Sequence, residues 1–170
     1  MDPTTILVSN LTEGLRQITN YLTLGLATAV SAFVLDRRSA DSESSPPVAL
    51  PGVSIPIAPD TAKWLLLGLC WVAGALASYA AEGAEGIVDK LQMTKTVLAA
   101  ACTYPSIATA PVGIGVIGAV LPLAFVLPVM WRMWRLVRKV DPSESIFPLF
   151  VFFIPYGALT VGLVRLNCRA

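Results

Sequence analysis

The sequence predicts an all-α integral membrane protein with four transmembrane helices and a proline-rich extended loop between the first two. Three observations carry that prediction. Charged residues make up 14% of the 170-residue chain and hydrophobic ones 55%, where an average soluble domain carries about 25% charged residues. Mean hydropathy is +0.71. Apolar stretches long enough to cross a bilayer recur along the chain with short polar segments between them.

The first span is read at 15–35, where Arg16, near the start, is the one charge in 21 residues. At about 1.5 Å per residue that covers a hydrocarbon core of about 30 Å. Asn10 and Glu13 stand at capping-box spacing, so the helix is expected to start about five residues before the bilayer. Asp36-Arg37-Arg38 is expected to end it in water. Residues 39–60 form the soluble-looking loop: a Ser-rich part of linker composition, then apolar residues around Pro51-Gly52. Its prolines restrict strand pairing, so extended chain is expected there.

Asp60 reads as the N-cap of a second span at 61–81, with Lys63 snorkelling beside the interfacial Trp64. Ala73, Gly74, Ala77, Ser78 and Ala81 form a small-residue stripe on this span, a face that lets another helix approach closely. Residues 82–110 are read as an amphipathic, partly re-entrant segment broken at Tyr104-Pro105. The third span is placed at 112–130, with Pro122 inside it, and the fourth at 146–164, with Pro148 in its first turn and Pro155 in its middle. Thr96–Ala110 as a fifth span is the alternative, although 15 residues of helix reach only about 23 Å.

Between the last two spans runs Trp131-Arg-Met-Trp-Arg-Leu-Val-Arg-Lys139. Arg132, Arg135, Arg138 and Lys139 share a helical face, and Trp131, Met133 and Trp134 are expected to dip into the headgroup layer. This is the collar expected at the cytoplasmic end of a membrane bundle, setting topology and contacting lipid headgroups. Counting Lys and Arg does not choose between the arrangements. Four spans put Arg37, Arg38, Lys63 and the collar cations inside; five put Arg16, Lys90, Lys95 and the collar there.

Composition narrows function mainly by exclusion. Twelve Lys+Arg against eleven Asp+Glu give +1, which is no nucleic-acid binder. The absence of histidine removes Ser-His-Asp and Cys-His catalysis and the usual His-based metal and haem sites. Cys70, Cys102 and Cys168 are too far apart for a C-x-x-C site, and the first two lie in apolar runs as small hydrophobes. Met1-Asp2-Pro3-Thr4 lacks a basic n-region, so the first span is expected to act as an uncleaved insertion signal.

No catalytic residue, cofactor or metal is expected. Ser106 has only Lys95 as a conceivable base and no motif to set their geometry. Glu82, Glu85 and Asp89 share a face, read as solvated helix beyond the second span. The four apolar spans carry no ionisable residue near their middles, which disfavours ion-coupled transport. The expected role is a structural or accessory subunit that packs on the lipid-embedded parts of other membrane subunits. The alternative is a homo-oligomeric pore or membrane-perturbing effector lined by the broken segment at 105–118.

Overall fold

The structure, a computed structural model, describes residues 3–41, 57–91, 106–140 and 147–166. Four helices make up nearly all of this: α1 (Pro3–Asp41), α2 (Pro59–Leu91), α3 (Val112–Val140) and α4 (Phe147–Arg165). There is no strand among the described residues. By length and composition α1, α2 and α3 are each able to cross a membrane, while the apolar part of α4 is shorter.

A regular alternation of four- and three-residue steps builds the bundle. On α1 one buried stripe runs through Leu11, Leu15, Ile18, Leu22, Gly25, Ala29, Ala32 and Asp36; on α2 one runs through Lys63, Leu67, Cys70, Gly74, Ala77, Ala81 and Ala84, with Thr28, Ala62, Ala73, Ser78 and Ala80 buried beside them. That spacing is the seam of a coiled coil, and α1 and α2 pack along it as an antiparallel pair. Their register is fixed by three pairs: Gly14 beside Ala84, Gly25 beside Ala73, and Asp36 beside Lys63. Bulk is complementary along the seam. Leu11, Leu15, Ile18 and Leu22 fill the space over Ala77, Ala80, Ala81 and Ala84, and Ala29 and Ala32 sit where α2 offers Leu67 and Cys70.

The other two helices close the ring. α3 packs on α1 and α4, and α4 packs on α2 and α3. α3 runs parallel to α1, from Ile107 against Thr19 to Arg132 against Asp36. α4 runs parallel to α2. The Trp71 indole donates to the Val151 carbonyl at 3.3 Å, and Arg165 pairs with Glu85 at 3.5 Å. The end of α2 and the start of α3 therefore lie at the same end of the bundle.

At mid-height Tyr156 of α4 fills a slot cut by two glycines. A Cβ on Gly74 would sit 2.7 Å from its ring, and one on Gly25 would sit 2.8 Å from its hydroxyl. The hydroxyl donates to the Cys70 carbonyl at 2.8 Å and lies 3.0 Å from the Cys70 thiol, which is itself 3.3 Å from the Gly25 carbonyl. Gly25 stands eleven residues before Asp36, about 16 Å along the axis. The charge-free stretch of α1, 17–35, is about 28 Å long, so this polar contact is central to it.

Several sequence expectations are corrected. α1 starts at Pro3, with Asn10 inside it, because Leu7 and Leu11 extend the packed stripe. α2 begins at Pro59, so Asp60 lies in its first turn, not at the cap. α2 also runs on through the polar residues to Leu91, since Ala84, Ile87 and Val88 still pack on α1's leucines. The extended loop is shorter than 39–60, because helix occupies 39–41 and 59–60; residues 42–56, and with them Pro51-Gly52, lie outside the described residues, as do 92–105. Ser106–Ala110 forms a turn on α1 at Leu15 and Thr19, level with Arg16.

Candidate functional site at the basic end of the bundle

Three helices deliver charge to one end. Asp36, in the last turns of α1, lies on the buried seam with its side chain only 8% exposed. Its two carboxylate oxygens face different helices: Oδ1 is 3.5 Å from Lys63 Nζ of α2, and Oδ2 accepts from Arg132 of α3 at 3.2 Å. Lys63, 7% exposed, is also 3.0 Å from Asp60 Oδ1 in the first turn of α2. Two carboxylates and two cations balance, as burial requires: an unpaired charge here would cost several kcal/mol, roughly the penalty of desolvating one ion. The cluster fixes the relative height of α1, α2 and α3 more than it adds net stability.

This revises three expectations. Asp36 is buried and does not end the helix in water. Lys63 does not snorkel, because Asp36 meets it inside the bundle. Met133 does not dip toward lipid; it is 8% exposed and packs with Val129, Met130 and Phe152 in the core. The signal for Asp36 and Lys63 was present in the sequence, since both fall on the four-three stripes of their helices.

The rest of the collar points outward. Arg135 stacks over the Trp131 ring at 5.3 Å and Arg138 over Trp134 at 5.0 Å, and the two indoles are themselves 5.0 Å apart. These four side chains and Lys139 line an open hollow of about 350 Å³. Arg132 leaves the group, its charge drawn to Asp36. Arg37, stacked over Phe33 at 5.2 Å, adds a further cation at the same end.

The small-residue stripe is elsewhere. Ala73, Gly74, Ala77, Ser78 and Ala81 are all buried against this chain's own helices: Ala73 against Gly25, Gly74 against Tyr156, Ala77 and Ala81 under α1's leucines, and Ala81 also against Gly162. Of the acidic triplet, Glu82 and Asp89 are exposed, whereas Glu85 is partly buried and pairs with Arg165. Ser106 donates to the Leu15 carbonyl at 3.1 Å, a packing role. Its proposed partner Lys95 lies outside the described residues, as do Cys102 and Cys168.

The outer surface is uneven, which the sequence reading did not single out. Outward residues of α2, α3 and α4 are mostly bulky and apolar, among them Leu65, Leu69, Val72, Ile114, Ile117, Phe150 and Ile154. Between the charged ends of α1 the exposed positions are Asn20, Thr23, Leu24, Ala27, Ser31 and Val34. Thr23 and Ser31 donate to the carbonyls one turn back, while the Asn20 amide meets no partner among the described residues. No protein-family model, curated protein or solved structure matches this chain.

Proposed function

We infer that the chain is an integral membrane protein of four crossings, with the collar on the cytoplasmic side, that serves as a structural or accessory subunit of a larger membrane assembly. The unevenness of the outer surface carries this reading. Bulky apolar side chains on α2, α3 and α4 suit lipid, whereas the outward face of α1, Leu24 and Val34 apart, carries the small or polar Asn20, Thr23, Ala27 and Ser31 at membrane depth. Such a face favours the close approach and interhelical hydrogen bonding of another transmembrane helix. The subunit contact is thus assigned to α1, not to the Ala73–Ala81 stripe, which the bundle uses internally.

The even alternation of helix direction and the shared level of Asp36, Lys63 and Arg132 support four crossings. Exposed Trp64 and Trp131 at that end and exposed Tyr79 near the other suit the two aromatic belts of a bilayer. The second reading, a homo-oligomeric pore, draws on the same face, with Asn20, Thr23 and Ser31 turned inward in a ring of copies.

Mild-detergent purification from native membranes tests both, with native mass and co-purifying chains read together. Stoichiometric foreign subunits that are lost from Asn20→Leu/Thr23→Leu are the expected result. A homo-oligomer that conducts in liposomes transfers the function to the second reading. A monodisperse monomer, indifferent to the substitutions, refutes both.

A further inference from the structure

We propose that the hollow lined by Trp131, Trp134, Arg135, Arg138 and Lys139 is a binding site for the phosphate of an anionic phospholipid headgroup. The inference rests on the membrane reading above and goes beyond a basic collar that merely sets orientation. The first ground is the sorting of charge. Asp36 takes Arg132 out of the collar, so the three remaining cations converge on one hollow in which no carboxylate among the described residues pairs with them.

The second ground is preorganisation. Each guanidinium rests on an indole, Arg135 over Trp131 and Arg138 over Trp134, and the two indoles contact each other. A cation–π contact of this kind limits the motion of a guanidinium while leaving N–H groups to bond phosphate oxygens. The buried Trp134 indole N–H has no acceptor among the described residues. Depth is the third ground. Arg132 shares the level of Asp36 and Lys63, where the charge-free stretches of three helices end, and Arg135 and Arg138 lie one and two turns beyond it. That is headgroup height, with the Trp131 face turned toward the acyl chains.

The test uses the full chain reconstituted into phosphatidylcholine vesicles with increasing fractions of brominated phosphatidylglycerol or brominated phosphatidylcholine. Quenching of tryptophan emission gives the association constant of one lipid relative to the other. Phosphatidylglycerol is expected to be preferred at least about fivefold, the factor one surface cation supplies. Arg135→Gln/Arg138→Gln/Lys139→Gln should bring the ratio close to one. Arg37→Gln removes a cation at the same end but outside the hollow, and should leave the ratio nearly unchanged.

A ratio near one in the unmodified chain overturns the proposal, and so does an equal fall for Arg37→Gln and Arg138→Gln. Loss of the preference in millimolar inorganic phosphate would make free phosphate the ligand and overturn the lipid assignment. Quenching by brominated phosphatidylcholine reports contact with the bilayer itself. No quenching by either lipid therefore overturns the membrane reading, whereas equal quenching by both overturns only the headgroup site.

Discussion

The slot around Tyr156 yields two glycine substitutions that look alike in sequence and differ in outcome. Added to Gly25, a methyl group meets the Tyr156 hydroxyl at 2.8 Å, with the next ring atom at 3.9 Å; added to Gly74, it meets ring carbons at 2.7, 2.8 and 3.1 Å. Overpacking of this kind costs about 1–3 kcal/mol, partly offset by about 1 kcal/mol from the better helix propensity of alanine. Gly74→Ala should therefore destabilise the bundle by up to about 2 kcal/mol in any background that keeps the ring. Gly25→Ala should cost a similar amount in the native chain. In Tyr156→Phe, which removes only the clashing oxygen, it should become neutral or stabilising.

Gly83→Ala, with open space around it, supplies the reference and should gain up to about 1 kcal/mol. Equilibrium unfolding in mixed micelles, followed by far-UV ellipticity, measures all of these. The decisive quantity is the coupling between positions 25 and 156, expected at about 1–3 kcal/mol. Zero coupling, or Gly74→Ala behaving like Gly83→Ala, would refute the slot.

Three further substitutions probe other contacts. Asp36→Ala leaves Lys63 buried with only the exposed Asp60 carboxylate and frees Arg132; it should destabilise by about 2–4 kcal/mol, and Asp36→Ala/Lys63→Met should recover much of that loss in the same unfolding assay. Ala77→Leu, at a site with no exposed surface, should destabilise the isolated chain by at least about 1–3 kcal/mol; a chain of unchanged stability that merely loses a partner would return the stripe to an intermolecular role. Ser106→Ala removes the hydroxyl that bonds the Leu15 carbonyl and accepts from the Ala108 amide, so it should cost about 1 kcal/mol and speed hydrogen exchange at Ala108.

Much of the fold was legible because one signal, the length of apolar runs, is nearly independent of tertiary context. It located all four helices, and α3 begins at Val112, the residue where the third span is expected to begin. The boundaries were not, for a physical reason. Hydropathy marks where lipid ends, whereas a helix ends where its packed face ends, and Leu7 and Leu11 on α1 and Ile87 and Val88 on α2 continue packing beyond the apolar zone.

The end-on charges were misread for a related cause. Asp36 and Lys63 were judged by their type, which favours water, when their place on the four-three stripe put them inside. The stripe at Ala73–Ala81 was legible as a close-approach face, but sequence alone does not say which helix approaches, and α1's leucines and Tyr156 occupy it. A break at Tyr104-Pro105 was legible from the proline, but the hold of the Ser106 turn on Leu15 and Thr19 is a contact between distant segments that no local pattern encodes.

The origin of the parts around Tyr156 has a consequence for biogenesis. The walls of its slot belong to α1 and α2, neighbours in sequence that pair along a long antiparallel seam, while the plug arrives on α4, after α3 has been threaded. During synthesis the α1–α2 hairpin therefore waits with a notch at its waist, two glycines wide, and with the Cys70 thiol facing it. Completion of the bundle is a keying event in which the latest helix docks into a lock cut by the earliest. A ribosome product halted before α4 would carry that notch open, with the faces of Gly25 and Gly74 that Tyr156 covers left without it.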